Sequence, residues 1–226
     1  MSDRGILEAD MAPSSVLALT PEREPRGARR KRETRAKLLA AALRLMAEKG
    51  VEGVAVNDIT EAADVGFGSF YNHFESKEAI YRALVDSVFG EFADWLDALL
   101  AAVSDPAEVI ADSVRHTILR AKREPVWGSF LIREGFSQDA ITHGLGSRLL
   151  RDIEKGVAAG RFPAGDSFMT FIAASGTILA SIAATSPQFR RFNTKQLPER
   201  CAAMVLQILG LDRAEADDIA RWPLPK

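Results

Sequence analysis

The chain has 226 residues, of which 47% are hydrophobic and 27% charged, with 29 basic side chains against 31 acidic ones and a formal net charge of -2. That length suits one large domain or two small ones, and the hydrophobic share excludes global disorder. The charge balance excludes a protein that coats nucleic acid through bulk positive charge, but not a local basic patch. One cysteine, Cys201, cannot form an internal disulfide or a cysteine-built zinc site and fits a reducing compartment, so the expected location is the cytoplasm. No stretch approaches the ~20 apolar residues that span a bilayer, so no membrane partner is expected.

Residues 1–28 hold several prolines and scattered charges without an apolar period, and read as a disordered leader. Between Glu22 and Lys37, eight basic residues stand against three acidic ones, a local charge of +5 in a chain whose total is negative. Behind this basic arm, Leu38, Ala41, Ala42, Leu45 and Met46 recur at helical spacing from Glu33 to Lys49, with Gly50 placed to end the helix. A short helix is expected from Val56 to Ala63, then a tight break at Asp64-Val65-Gly66 and a third helix from Phe67 to Phe74. Phe70 and Phe74 are four apart and can both face a small core. Two short helices around a three-residue turn, behind a longer one, read as a helix-turn-helix.

Ser76 can cap a fourth helix, whose apolar period runs through Ile80, Leu84, Val88, Phe92, Trp95, Leu96 and Leu99 towards about Val103. Further helical segments are expected at Ala107–Arg123, Val126–Glu134, Ala140–Ala159, Asp166–Ala184 and Pro198–Leu211, separated by Pro, Gly and Ser. The acidic run around Asp217 and Asp218 reads as solvated. No alternating strand pattern survives, so the fold class is all-α.

Enzyme signatures are absent. Gly66-Phe67-Gly68 lacks the third glycine and the preceding strand of a dinucleotide loop. His73, His116 and His143 are too far apart for a helical metal pair, and Asp112 with His116 or Asp139 with His143 reads as a helix-surface interaction. No catalytic residue, metal or cofactor is expected.

A recognition helix needs small or hydrogen-bonding side chains where it enters a major groove ~12 Å wide. Phe67, Gly68, Ser69 and Asn72 answer that need: Asn can bond adenine at two atoms, and Phe can lie against a thymine methyl. Tyr71, His73 and Lys77 offer donors to phosphate oxygens, and the arm, with Arg29, Arg30 and Arg32, adds phosphate or minor-groove contacts. Each aromatic taken singly reads as core; the combination behind a basic arm points to double-stranded DNA.

These residues carry a family resemblance. Residues Thr34 to Glu78 resemble the DNA-binding domain of the tetracycline-repressor-type (TetR) family of bacterial regulators. The match runs through Leu38-Leu39-Ala40-Ala41-Ala42, Leu45-Met46, Gly50, Val56-Asn57-Asp58-Ile59, Val65 to Phe74, and Lys77-Glu78. The resemblance implies a homodimeric repressor whose recognition helices enter successive major grooves of a near-palindromic operator. It also implies a variable C-terminal domain that binds a small effector. Positions Phe67, Gly68, Ser69 and Asn72 would then face bases, and Asn57, Tyr71, His73 and Lys77 bases or phosphates. Ala55 departs from the pattern where a Ser or Thr usually caps the second helix, a change that costs ~1 kcal/mol. Asp64 stands where a left-handed glycine is usual, and tolerates that geometry better than most residues.

The implied division is a leader over 1–28, a helix-turn-helix domain with its arm over 29–76, and an effector-binding and dimerisation domain over 77–226. Phe89, Trp95, Trp127, Phe130, Phe136, Phe168, Met169 and Phe171 are numerous enough to line an apolar cavity, although each taken singly reads as core. The resemblance places an effector pocket among these helices for a small apolar or aromatic molecule, with Trp95, Trp127, Phe130 and Met169 its expected apolar lining and His116 and Thr177 its polar members. The small residues from Ala173 to Ala184, with the helix Cys201–Leu209, suggest a four-helix dimer interface, although close packing within one subunit explains the same composition. The alternative function is a helical small-molecule-binding or enzymatic protein with an incidental helix-turn-helix. A salt-dependent shift of operator DNA separates the two.

Overall fold

A computed structural model describes residues 25–142, 144–186, 189, 191 and 195–225. Most of the expected leader, and His143, lie outside the described residues. The described residues form twelve α-helices in succession and contain no strand.

Helix α1 (Arg26–Lys49) starts at Pro25, whose fixed φ suits a helix entrance, and ends at Gly50, where φ is +77°. It begins seven residues before Glu33, so residues 26–28 belong to the helix and Arg29, Arg30 and Arg32 lie on its first turns rather than on an arm ahead of it. Leu38, Ala42 and Met46 are fully buried on one face. Against that face pack α2 (Val56–Ala62), α3 (Phe67–Tyr71) and the turn after it, through Ile59, Phe70 and Phe74. The turn between α2 and α3 takes Asp64 to φ +53°, the left-handed geometry expected of it. Helix α3 ends at Tyr71, three residues before Phe74.

The fourth element is a rod with an internal irregularity. It comprises α4 (Lys77–Val85), a π-helical turn (Asp86–Gly90) and α5 (Glu91–Leu99). Ser76 caps it, accepting from the Ala79 N–H at 3.2 Å. The rod therefore ends at Leu99 rather than near Val103, and it is not uniformly α-helical.

The body is built around α6 (Pro106–Arg123), capped by Asp105, whose Oδ1 accepts from the Ala107 N–H at 2.9 Å. Ile110, Val114 and Ile118 are buried on α6. Around it lie α7 (Pro125–Glu134), α8 (Gln138–Thr142), α9 (Leu145–Ala158), α10 (Ser167–Ala183), α11 (Leu197–Ile208) and α12 (Arg213–Ile219). Helix α6 packs along α11, whose Ala202, Val205 and Leu206 are fully buried. The segment expected as one helix from Ala140 to Ala159 is two. Gly144 breaks it at φ +141°, and a Cβ there would sit 3.0 Å from the Cβ of Phe89 in the π-turn, so the break lets chain and rod approach closely.

The acidic C-terminal run is helical rather than merely solvated. Asp212 caps α12 by accepting from the Ala214 and Glu215 N–H groups at 2.9 and 3.0 Å, and Ala216, Ile219 and Ala220 are buried beneath it. Asp112, expected on a helix surface beside His116, is 1% exposed and pairs instead with Arg115 at 3.2 Å. Arg115 in turn donates to the carbonyl of Trp222 at 2.7 Å, which anchors the chain after α12.

Candidate nucleic-acid interface and effector cavity

Burial of Phe70 and Phe74 decides what α3 presents to solvent. With those two rings inward, Phe67 and Tyr71 point outward, each 52% exposed, their centroids 5.5 Å apart in an edge-on pair. Their exposure overrides the core reading that each carries singly. Gly68 has open space above its Cα, and Ser69 is half-buried beside it. Asn72 is exposed but occupies the C-terminal cap of α3, so it does not share the first turn with Phe67, Gly68 and Ser69. Asn57 is exposed in the first turn of α2. Asp58 supplies half of the missing cap there, its carboxylate accepting from the Ala55 N–H at 2.9 Å.

The basic stretch of α1 flanks this face. Arg35 lies over the Phe74 ring at 5.1 Å. Partial burial, and then the charges of Lys31 and Arg35, push the His73 pKa below 6.5. The imidazole is therefore neutral near pH 7 and offers one N–H rather than two. Arg29, Arg30 and Arg32 are all exposed, and Arg29 pairs loosely with Glu33 at 3.5 Å. Lys77 is less available than its sequence position suggests. Its ammonium donates to the Val51 carbonyl at 3.1 Å and its side chain is only 22% exposed, so it fastens the loop after α1 to the first turn of the rod.

A cavity of about 90 Å³ lies among α5, α6, α7, α9 and α10. Its walls are apolar, formed by Leu96, Ile110, Val114, Leu131, Leu149, Phe171, Ile178 and Leu179. Three hydroxyls face it, from Ser113, Thr117 and Ser175; Thr117 and Ser175 spend their protons on the Ser113 and Phe171 carbonyls, leaving oxygen lone pairs as acceptors. One edge is ionic. Asp97 on α5 accepts two bonds from Arg151 on α9, at 2.7 and 3.1 Å, and one from Arg148 at 3.4 Å. Arg148 also pairs with Asp94, and Arg151 with Asp152 at 2.9 Å. These bonds, the Arg151 pair foremost, hold the Asp97 carboxyl below the usual carboxylate range. Asp97, Arg148 and Asp152 all reach the cavity wall.

Of the large apolar residues named from the sequence, Phe171 lines this cavity, whereas Trp95, Trp127, Phe130 and Met169, with the polar candidates His116 and Thr177, do not. Trp95 is 45% exposed, stacked on Phe92 and edge-on to His116. Trp127 and Phe130 are buried against Phe89 of the rod, Met169 is 58% exposed on α10, and the Thr177 hydroxyl bonds the Ala173 carbonyl. Their immediate neighbours Leu96, Thr117, Leu131 and Ile178 do line it. Successive helical residues point about 100° apart, so on these helices the cavity lies on the face next to the expected residues.

Helix α10 carries no charged side chain, and its outward stripe of Met169, Ala173 and Ala180 is exposed together with Met204 of α11. Its opposite side, through Phe171, Ala174 and Ile178, packs within the subunit. The small residues thus serve internal packing on one side and leave an apolar face on the other.

Two family models match: "Bacterial regulatory proteins, tetR family" over residues 38–84, and "Tetracyclin repressor-like, C-terminal domain" over residues 105–222. The chain is similar to the HTH-type transcriptional repressor DhaR of Mycobacterium sp. (strain GP1), 46% identical over 26% of this chain and 30% of that protein. It is also similar to the negative regulator IcaR of Staphylococcus epidermidis, 37% identical over 26% of this chain and 32% of that protein, so the chain matches about a third of the length of both. A longer match joins it to the HTH-type transcriptional repressor KstR2 of Rhodococcus jostii (strain RHA1), 31% identical over 52% of this chain and 74% of that protein. Among solved structures, RolR in complex with resorcinol is 35% identical, with a TM-score of 0.65, covering 88% of this chain and 98% of that one. With the reading head, the rod and the helical body all matched, the chain belongs to the TetR family of bacterial regulatory proteins.

Proposed function

We propose that the chain is a cytoplasmic, effector-released repressor that binds a near-palindromic operator as a homodimer. The observation that carries the DNA reading is the outward face of α3. It presents Phe67, Gly68, Tyr71 and Asn72 beside the basic first turns of α1, in a chain with no overall positive charge. Buried core explains none of those exposed side chains, and a groove lined by bases and phosphates suits all of them. Residues 29–76 form the reading head in this reading and 77–226 the effector and dimer domain. The exposed apolar stripe of α10 and α11 is the surface a second copy would cover.

The effector is a small aromatic molecule carrying hydroxyl groups. The cavity is apolar enough for one ring, small at about 90 Å³, and has hydroxyl and carboxylate acceptors on its edge for phenolic protons. RolR, whose structure holds resorcinol, is matched along nearly its whole length. The test is fluorescence anisotropy with duplex DNA from upstream of the protein's own gene, against a scrambled duplex, with and without resorcinol. Equal binding to both duplexes at all salt concentrations would overturn the operator reading, and specific binding that resorcinol leaves unchanged would overturn the effector assignment alone.

A further inference from the structure

Apart from the rod, the reading head touches the body mainly through one helix. Among the body helices, α7 packs along α1, and its last turn makes polar bonds to both helices that carry the head. Arg133 donates from Nε to the Ala47 carbonyl and from Nη2 to the Glu48 carbonyl, both at 2.8 Å. These are two of the final carbonyls of α1, which have no partner within their own helix and sit at its negative end. The next residue, Glu134, accepts from the Tyr81 hydroxyl of α4 at 2.9 Å. Burial pushes the Tyr81 pKa up to about 12, so that hydroxyl remains a donor throughout the neutral range.

The same turn is a wall of the cavity. Leu131 and Gly135, on either side of the Arg133-Glu134 pair, both line it. A Cβ on Gly135 would sit 2.6 Å from the Leu131 carbonyl oxygen and 3.2 Å from the methyls of Leu179 on α10, another lining residue, so this turn is closely fitted there and has little room to shift independently.

We propose that Arg133 is the positioning residue that fixes the orientation of the reading head on the body, with Glu134 and Tyr81 as its second anchor. Displacement of the α7 turn by a molecule in the cavity moves the C-terminus of α1 and the start of the rod together. The positioning role stands on the bonds alone; the link to an effector rests on the reading of the cavity given above.

The test uses distances within the full-length dimer. Nitroxide labels are placed at exposed Glu61 and Lys122 through Glu61→Cys and Lys122→Cys, with excess unlabelled protein so that a labelled dimer carries one labelled subunit. Cys201 stays in place, since the residue is 3% exposed and burial raises its thiol pKa to about 11. Double electron–electron resonance should give a narrow distance distribution for the parent protein. Arg133→Ala should widen it at least twofold, Arg133→Lys should restore part of the narrowing, and Tyr81→Phe should widen it less than Arg133→Ala does. Arg133 is exposed, so its replacement leaves the core intact. A distribution for Arg133→Ala that superimposes on the parent's would overturn the proposal. Resorcinol is the effector probe. A shift in the parent that Arg133→Ala loses supports the joint, and one that Arg133→Ala keeps refutes it. No shift in the parent, with widening still present in Arg133→Ala, leaves the positioning role standing and removes resorcinol as effector.

Discussion

The indole N–H of Trp127 donates to the main-chain carbonyl of Val88 at 3.0 Å, and Val88 lies within the π-helical turn that divides the rod. A π-turn widens the helix by one residue and leaves its carbonyls poorly matched to the ordinary ladder, so an outside donor there stabilises an otherwise unfavourable local geometry. Trp127 is 2% exposed and Arg120 lies over its ring at 4.8 Å, so water cannot replace that donor.

Trp127→Phe keeps most of the ring and removes the N–H. The Val88 carbonyl is then buried without this partner, which costs about 1–3 kcal/mol. Thermal or urea unfolding should show a loss in that range. A loss near zero would mean the π-turn stands without the indole.

The division between base and phosphate contacts is also testable. Asn72→Ala should relax preference at one operator position per half-site, by ~1–3 kcal/mol if the amide bonds a base at two atoms. Lys77→Ala should weaken all duplexes alike. Because Lys77 also holds the Val51 carbonyl, it should lower the melting temperature as well, which Asn72→Ala should not. Binding to an array of single-base operator variants, read beside a melting curve, separates the two. Matching profiles for both mutants would refute the division.

The reading head was legible in the sequence because its signals are local. Apolar spacing in α1, the Asp64 turn and the Phe70–Phe74 pair each specify a short element, and their order specifies the motif. The cavity was legible at Phe171 but not at its other lining positions. Helical periodicity places Trp95, His116, Phe130 and Thr177 on helices that wall the cavity, but which neighbouring position faces the void depends on how five helices cross. Large aromatics went to the core between α7 and the rod, and Leu96, Thr117, Leu131 and Ile178 were left to line the pocket. The ionic edge was hidden for the same reason. Asp97 and Arg151 lie 54 residues apart and meet only when α5 and α9 pack. Helix α12 was missed because its acidic surface outweighs a narrow buried stripe of Ala216, Ile219 and Ala220.

Asp112 links stability to pH. Burial raises its pKa from 3.8 to about 6, against the smaller opposing pull of Arg115. The folded-state pKa thus exceeds the unfolded one. Between those values the unfolded chain gives up its proton while the folded protein retains it, so stability falls as pH rises from about 4 to about 6 and then levels off. Asp112→Asn keeps an acceptor for Arg115 and removes the titration. Urea unfolding across that window should show a smaller decline for the variant. Parallel curves would mean that Asp112 titrates normally in the folded protein.

The reciprocal coupling of the two sites is the most direct check on the mechanism. A ligand that favours one orientation of the heads must, by linkage, bind operator-bound protein more weakly by the same factor as it weakens operator binding. A coupling of ~1–3 kcal/mol, roughly 5–150-fold, is ordinary for such switches. The affinity for resorcinol, measured by calorimetry with and without saturating operator, should therefore differ by the same factor as the operator affinity measured with and without resorcinol. Ser113→Leu sharpens the test. Ser113 faces the cavity from α6, and a leucine there fills space that the ring needs while leaving the reading head untouched. The variant should lose at least tenfold in resorcinol affinity, bind operator as the parent does when no ligand is present, and resist release. Undiminished resorcinol binding by Ser113→Leu would place the ligand outside this cavity, and equal resorcinol affinities with and without operator would break the link between the cavity and DNA release.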